Sequence, residues 1–244
     1  MKEVKLTITA QERIARDVYR MTLAGDTTAV TAAGQFINIQ LDGLYLRRPI
    51  SVCDWEPEEL TIIYKVLGRG TAQMAALPDG TALSVLTGLG NGYDLGKSGD
   101  RPLLIGGGVG VPPLYLAAKL LRQEGKDVAA VLGFNTAEDA FYADEFRALG
   151  VRTFVTTADG SLGMRGFVTD ALPKVGDYSY VYTCGPEPML KAVYNAVKTG
   201  GQFSFEERMG CGFGACMGCT CKTKYGHKRI CTDGPVLEKE EIVW

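Results

Sequence analysis

Five cysteines crowd into 21 residues near the C-terminal end, and their spacing indicates a metal or redox centre. Cys211, Cys216 and Cys219 follow the pattern Cys-x4-Cys-x2-Cys, a spacing known for the thiolate ligands of [2Fe–2S] clusters. Glycines within residues 210–218 let a tight loop wrap such a cluster and point backbone N–H groups at its sulfurs. We therefore expect these three cysteines to bind metal.

The fourth thiolate is either Cys221 or Cys231. In an extended segment, Cys219 and Cys221 point to one face and would crowd one side of the cluster. Cys231 can return to the cluster through a hairpin, so we favour Cys231. Zinc is the main alternative metal, because it also binds thiolates. Structural zinc sites usually pair two short Cys-x2-4-Cys knuckles, whereas this segment has one, so iron–sulfur is preferred to zinc and to unligated thiols.

Two further turns point to dinucleotide binding. Residues 106–113 read Gly-Gly-Gly-Val-Gly-Val-Pro-Pro, follow an apolar strand and open a helix. This is similar to the dinucleotide fingerprint, with proline in place of the third glycine. We expect the turn to approach a nicotinamide dinucleotide through Gly107, Gly108 and Gly110. Cys184, in Cys-Gly-Pro after a second strand, is either a small buried residue or a catalytic-site cysteine beside the nicotinamide.

A second nucleotide site is predicted nearer the N-terminus. Arg48-Pro49-Ile50-Ser51 stands at the end of a predicted strand, where Arg48 can pair with a pyrophosphate oxygen and Ser51 can bond a flavin edge. Gly70-Thr71 opens a predicted helix, and the free N–H groups and dipole of a helix N-terminus favour a phosphate.

The elements that must position these residues follow two patterns. Up to about residue 100, period-two alternation predicts short strands and suggests a small antiparallel barrel, with one short helix from Thr71 to Leu77. Beyond it, strands alternate with helices, as in a doubly wound parallel sheet. Helices are predicted over Pro112–Gln123, Ala137–Leu149 and Pro188–Lys198. The cysteine-rich end cannot form a core of its own and is predicted to be a lobe organised by metal.

We therefore expect three parts. They are a β-barrel domain over residues 1–100, an α/β nucleotide domain over 101–205 and a cluster-binding lobe over 206–244.

Composition restricts the function. A net charge of −2 gives no reason to expect nucleic acid or an anionic membrane surface. No segment approaches the roughly 20 apolar residues that span a bilayer, and the N-terminus runs straight into a strand pattern, so we expect a cytoplasmic protein. His227 is the single histidine, which excludes mechanisms that need several.

In this order along the chain, these motifs resemble the ferredoxin–NADP reductase superfamily. The segment Glu207–Cys219, closing with Cys231-x-Asp-Gly-Pro-Val, more closely resembles the electron-transfer subunits of type B dihydroorotate dehydrogenases. The resemblance implies FAD, a [2Fe–2S] cluster and NAD as cofactors. It also implies a partner, an FMN-containing dihydroorotate dehydrogenase catalytic subunit, in a heterotetramer of pyrimidine biosynthesis.

The resemblance also assigns residues to sites. It places FAD at Arg48–Ser51, at Ile63-Tyr64-Lys65 and at Gly70-Thr71. It places the cluster on Cys211, Cys216, Cys219 and Cys231. Electrons would pass from the partner's FMN through the cluster and FAD to NAD⁺. The extra Cys221 departs from the family pattern and leaves the fourth ligand open.

Two rival functions are weighed. One is the small subunit of a related NAD(P)H–ferredoxin transhydrogenase or sulfide dehydrogenase, a family similar to this chain in which aspartate replaces the first cluster cysteine; Cys211 argues against it. The other is a non-catalytic, zinc-bearing interaction protein.

The predicted adenosine-ribose loops, residues 133–139 and 156–160, hold acids and no cation. Asp159 would bond ribose hydroxyls and repel a 2′-phosphate, which favours NAD over NADP, whereas Arg165 is the counterargument.

Overall fold

Six antiparallel strands close into a barrel in the first part of the computed structural model, which describes residues 1–244. Around the barrel the strand order is β1-β2-β5-β4-β3-β6. Alternate side chains such as Ile37 and Ile39 fill its interior. The elements are β1 (Lys2–Ala15), β2 (Val18–Gly25), β3 (Phe36–Ile39), β4 (Arg48–Glu56), β5 (Glu59–Lys65), α1 (Arg69–Ala75) and β6 (Ala82–Leu89).

A seven-stranded sheet follows, in the order β10-β9-β8-β7-β11-β12-β15, with helices on both faces. Its strands are parallel except for the last, and the order reverses beside β7, at the switch point where such sheets bind ligands. The elements are β7 (Pro102–Gly107), α2 (Pro112–Gln123), β8 (Ala129–Phe134), α3 (Ala143–Ala148), β9 (Arg152–Thr157), β10 (Met164–Arg165), α4 (Val168–Val175), β11 (Tyr180–Cys184), α5 (Glu187–Ala196) and β12 (Gly201–Ser204).

The cysteine-rich segment forms a hairpin and then returns to the sheet. The hairpin strands are β13 (Thr220–Thr223) and β14 (Gly226–Arg229), and the returning strand is β15 (Val236–Glu238). Strand β15 pairs antiparallel with β12, with Phe203 opposite Leu237. The cluster-binding segment is therefore held at both ends by the same sheet edge.

This architecture confirms the predicted fold class, a β-barrel followed by a doubly wound α/β sheet and a small C-terminal lobe. Several predicted elements differ in detail. The segment Arg48–Ser51 begins strand β4 instead of ending a strand. The helix predicted over Ala137–Leu149 is wrong as one helix, because a 3₁₀ turn at Ala137–Asp139 is separated from α3 by Tyr142 in the left-handed region at φ 66°. Burial of the Tyr142 ring, edge-on to Tyr115 at 5.1 Å, outweighs the local helix preference.

Ion pairs join the barrel to the α/β sheet and so fix the two nucleotide motifs relative to each other. Lys119 of α2 reaches Asp54 of β4 at 3.1 Å, and Arg16 reaches Asp139 at 2.7 Å. Both lysine and aspartate of the first pair are largely shielded from solvent. None of the helices combines the length and the apolar character that crossing a bilayer requires.

Candidate functional site

The loop between β12 and β13 gathers backbone donors around two cysteine sulfurs. The Cys211 sulfur accepts from the backbone N–H of Ala215 at 3.2 Å and of Cys216 at 3.4 Å. The Cys216 sulfur accepts from the N–H of Cys211 and of Gly218, both at 3.4 Å. Donors aimed at thiolate sulfurs are the outer-shell arrangement that an iron–sulfur cluster needs, so this loop fits the predicted ligand role.

Cys219 and Cys231 form a second pair, which is buried within the lobe. The backbone N–H of Cys231 donates to the Cys219 sulfur at 3.4 Å, and the two residues are 2% and 1% exposed. No three acidic, histidine or cysteine side chains are grouped to hold a single metal ion. A [2Fe–2S] cluster takes two protein ligands on each iron, and two pairs of thiols meet that demand.

One cysteine of each pair has a shifted pKa. Burial opposes ionisation of Cys211, but the N–H groups of Phe213, Cys216 and Ala215 outweigh it and lower the pKa of Cys211 to about 6. Burial, together with the neighbouring Cys219 thiol, raises the pKa of Cys231 to about 12. Metal binds the deprotonated thiolate, so the N–H groups that stabilise the Cys211 thiolate favour its predicted role as a ligand.

Cys221 lies apart from both pairs. It is half-buried on β13, opposite Lys228, and lines a cavity of about 320 Å³ together with Phe205 and Trp244. Burial raises the pKa of its thiol, and the Glu207 carboxylate adds to that effect. These surroundings support Cys231 over Cys221 as the fourth ligand, which stays a prediction.

An arginine ties the two halves of the cluster segment together. Arg229 donates through Nη1 to the backbone oxygen of Gly214 at 3.0 Å, and its Nε lies 3.3 Å from the Asp233 carboxylate. The nearby Asp233 raises the pKa of Arg229, and the Cys231 and Cys219 thiols add to this effect. The guanidinium is thus a fixed positive charge beside the sulfurs.

At the switch point of the sheet, the two predicted nicotinamide turns pack directly on each other. A Cβ atom added to Gly110 would overlap the backbone of Cys184, and one added to Gly107 would lie 2.5 Å from the Met189 sulfur. Gly108, at φ 52°, faces open space. The glycines therefore allow the close approach, and they leave one backbone face open for a dinucleotide, as the fingerprint predicts.

Cys184 ends strand β11 opposite Gly106 of β7. Burial raises the pKa of its thiol to about 12, although the Ser204 hydroxyl acts in the opposite direction. The thiol is neutral at physiological pH and is neither a nucleophile nor a base there. Its role beside a bound nicotinamide ring stays a prediction.

The predicted flavin residues on β4 and α1 come together. The Arg48 side chain crosses over Gly70, because the glycine lacks the Cβ atom that would overlap the Arg48 Nε. The Arg48 guanidinium donates to the backbone oxygen of Leu46. The Thr71 hydroxyl accepts from the N–H of Leu67 and of Gly68, so it caps α1 and is engaged within the protein. Arg48 is the cation of this group.

The segment Ile63-Tyr64-Lys65 occupies the end of β5. Ile63 and Tyr64 are buried, and the Tyr64 hydroxyl donates to the Gln11 side chain at 2.9 Å. The Tyr64 side chain is therefore committed to the barrel. Any contact of these residues with FAD would be made by the backbone or by Lys65.

Asp159 lies just after β9, at the carboxyl edge of the sheet. Its carboxylate accepts from the N–H of Ser161 at 3.0 Å and from the Ser161 hydroxyl at 2.6 Å, and these bonds lower its pKa. Arg165 packs its aliphatic carbons on Gly160 in the same loop. The two acids of the preceding loop, by contrast, are engaged by Arg16, which leaves Asp159 as the ionised carboxylate for a ribose.

Sequence reasoning missed Arg229 and Asn38, both of which contact the backbone of the cysteine loop. Arg229 carried a weak signal, because it lies two residues before Cys231 and four before Asp233. Asn38 lies 173 positions away from its partner Cys211, and no local pattern marks such a contact.

Two family profiles match the chain. The iron-sulfur cluster binding domain of dihydroorotate dehydrogenase B matches residues 206–243, and an oxidoreductase NAD-binding domain matches residues 104–195. Together they cover the lobe and most of the α/β sheet.

Curated relatives match over the full length. The electron transfer subunit of dihydroorotate dehydrogenase B (NAD(+)) of Shouchella clausii is 43% identical over 256 aligned positions, covering 99% of this chain and 98% of that protein. The corresponding subunit of Bacillus pumilus is 44% identical over 256 positions, with the same coverage. That of Fusobacterium nucleatum subsp. nucleatum is 43% identical over 258 positions, covering 99% of each chain.

Two solved structures share the fold of this chain. An NADH-dependent reduced ferredoxin-NADP oxidoreductase, studied for flavin-based electron bifurcation, aligns with a TM-score of 0.89 and 30% identity over 98% of this chain and 90% of that chain. A ferredoxin NADP+ reductase from Neisseria gonorrhoeae, with bound FAD and NADP, aligns with a TM-score of 0.70 and 15% identity over 80% of this chain and 90% of that chain. The second likeness supports the fold alone.

Proposed function

The chain belongs to the family of electron transfer subunits of dihydroorotate dehydrogenase B, and from this premise we propose that it passes electrons from a dihydroorotate-oxidising partner to NAD⁺. The observation that carries the proposal is the pairing of four cysteines, two and two, beside a flavin-type barrel and a dinucleotide-type sheet. A protein with these three sites joins one-electron to two-electron chemistry.

Each cofactor has candidate residues. Cys211, Cys216, Cys219 and Cys231 would hold the [2Fe–2S] cluster. Arg48–Ser51, with Lys65 and the start of α1, would hold FAD, and the Gly107–Gly110 turn with Asp159 would hold NAD. When bound, FAD exchanges a hydride with the nicotinamide and single electrons with the cluster.

The protein's own contribution is position and electrostatics. Cys184 is half-buried with its thiol pKa raised to about 12, and His227 lies exposed on the β13–β14 hairpin. Neither is arranged as an acid or a base. The close packing of the Gly107–Gly110 turn on Cys184 would restrict where the ring can lie.

The partner we propose is an FMN-containing catalytic subunit, in a heterotetramer. The rim of the cluster loop supports a docking surface, because Phe213 and Met217 are 43% and 56% exposed beside the metal-binding cysteines. Exposed aromatic and methionine side chains are typical of interface cores.

All seven cysteines are free of disulfide bonds, which suits the reducing cytoplasm that we propose as the compartment of this protein.

A related ferredoxin-NADP oxidoreductase subunit is the second candidate, because one such structure has a TM-score of 0.89. Its identity to this chain is 30%, against 43% and 44% for the dihydroorotate dehydrogenase subunits. Cys211 in the first ligand position also favours the dihydroorotate dehydrogenase assignment.

The isolated chain is expected to oxidise NADH with ferricyanide and to show no dihydroorotate oxidation until the catalytic subunit is added. The reason is that it offers no acid–base group for that substrate. The assay mixes purified chain, catalytic subunit and dihydroorotate, and follows NADH formation. Turnover of dihydroorotate by the chain alone would refute the proposed role.

A matched pair of variants tests the docking surface in the same assay. Phe213→Glu should prevent co-elution with the catalytic subunit, because a carboxylate cannot be buried there unpaired. Phe167→Glu changes an equally apolar side chain, 70% exposed at the start of α4, and should leave the complex intact. An intact complex in Phe213→Glu would exclude Phe213 from the interface.

NADH is expected to be preferred over NADPH by at least about tenfold in kcat/KM, or roughly 1.4 kcal/mol. The ionised Asp159, fixed by Ser161, would repel a 2′-phosphate. Diaphorase assays with both cofactors measure the ratio, and Asp159→Ser should reduce it because Arg165 then faces the phosphate alone. A preference for NADPH in the wild-type protein would show that the ribose lies elsewhere.

A further inference from the structure

A buried asparagine connects the cysteine loop to the barrel. Asn38, on β3, is 1% exposed, and its side-chain Nδ2 donates to the backbone oxygen of Cys211 at 3.2 Å. In the β3–β4 ladder Asn38 stands opposite Pro49, within the predicted flavin segment. One side chain and one rung of the sheet therefore link a cluster ligand to the strand that would carry the flavin.

The fit around Asn38 is tight. Gly212, the residue after Cys211, has φ 79°, and a Cβ atom at that position would overlap the Asn38 amide nitrogen. Left-handed backbone is unstrained for glycine and strained for other residues. The loop backbone at Gly212 therefore packs directly against the Asn38 side chain, with no room for a Cβ atom between them.

Folding stability alone does not account for an asparagine here. The Asn38 Oδ1 is buried without a hydrogen-bond partner, and such a group destabilises a fold. Its neighbours on the strand, Ile37 and Ile39, are apolar and fully buried. A leucine at position 38 would remove the unpaired oxygen, but it would also release the Cys211 backbone.

We propose that Asn38 is a positioning residue for electron transfer between the cluster and the flavin. It fixes the backbone of the ligand Cys211 against the β3–β4 pair and so sets the separation of the two redox groups. This inference rests on the function proposed above, and it adds a residue to which neither the ligand pattern nor the flavin motifs point.

The test uses the full-length holoprotein, with Asn38→Leu compared with wild type. Leucine keeps the volume and removes the bond to Cys211. Iron and flavin contents are measured first. Rapid mixing with NADH then gives the rate of flavin bleaching, and freeze-quenched electron paramagnetic resonance gives the rate at which the reduced-cluster signal appears.

In Asn38→Leu the ratio of the cluster rate to the flavin rate is expected to fall at least tenfold, because small displacements of reacting groups reduce rates steeply. The reduced-cluster spectrum should also broaden as the Cys211 backbone loses its fixed position. Gln40→Leu is the matched control, since Gln40 follows the same strand and its amide bonds only the backbone of the next loop. That control should keep the wild-type ratio.

A second variant protects the test against misfolding. Gly212→Ala leaves Asn38 in place but forces the loop away from it, and it should lower the same ratio. A wild-type ratio and spectrum in both variants, with iron and flavin retained, would overturn the proposal. Loss of iron in both variants with flavin retained would also overturn it, in favour of a role in holding the cluster. Absence of the cluster from the wild-type protein would instead refute the proposed function.

Discussion

Replacing Cys216 with serine is expected to remove nearly all iron from the protein while most of the FAD stays bound. The Cys216 sulfur accepts two backbone N–H bonds, and the Cys216 N–H itself donates to the Cys211 sulfur. A serine hydroxyl is a poor substitute for the thiolate that iron prefers. The predicted flavin segments lie on β4, β5 and α1, whereas the hydrogen bonds of the Cys216 sulfur stay within its own loop. Iron analysis and flavin absorbance measure the two contents independently.

Two further serine variants identify the fourth ligand. Cys231→Ser should lose iron as Cys216→Ser does, because its backbone is bonded to the Cys219 sulfur. Cys221→Ser is the matched control and should keep its iron, since Cys221 faces the cavity beside Trp244. Iron lost in Cys221→Ser and kept in Cys231→Ser would reverse the assignment. Full iron in Cys216→Ser would contradict the ligand set itself.

Truncating Arg48 to alanine is expected to weaken FAD binding by about 30-fold or more, corresponding to roughly 2 kcal/mol. Arg48 is the cation that crosses Gly70 at the start of α1, where a pyrophosphate would gain both its charge and the helix N–H groups. Titration of the deflavinated protein with FAD, followed by flavin fluorescence, gives the dissociation constants.

Arg47→Ala is the control for Arg48→Ala, because the neighbouring Arg47 bonds Glu3 at 2.7 Å and the Ser84 backbone within the barrel. It should alter stability and leave FAD affinity near the wild-type value. Gly70→Ala should weaken FAD binding as well, since the added methyl displaces the Arg48 side chain. Equal FAD affinity in Arg48→Ala and wild type would exclude Arg48 from the pyrophosphate site.

Much of this molecule is predictable from local sequence, because its chemistry resides in short motifs. The spacing of Cys211, Cys216 and Cys219 requires only a loop, and the Gly106–Pro113 turn requires only a strand before it and a helix after it. Each motif therefore identifies its own site without knowledge of the whole fold. Period-two alternation likewise predicts the barrel, because each strand has one face in its interior.

What sequence reasoning missed depends on contacts between distant segments. The helix predicted across Tyr142 breaks because that ring packs on Tyr115 and Phe141, contacts that a helix-forming stretch of sequence does not reveal. Strand β15 is three residues long and pairs with a strand more than thirty positions earlier. In the sequence Asn38 is an ordinary strand residue, and its role depends on a contact with the distant Cys211 loop. In each case the deciding partner lies far along the chain.

The return of the chain through β15 has a topological consequence. Residues 205–235, which include all four proposed ligands, form a closed loop between the paired strands β12 and β15 instead of a free tail. The pairing of β15 with β12 offsets the entropy cost of closing this loop. That cost grows only with the logarithm of loop length. The apo segment is thereby tethered at both ends before any metal arrives. Cluster assembly then has to order a loop whose ends are already fixed. Insertions at the Tyr225 hairpin tip should therefore be tolerated far better than a cut after Pro235, which would free one end of the loop.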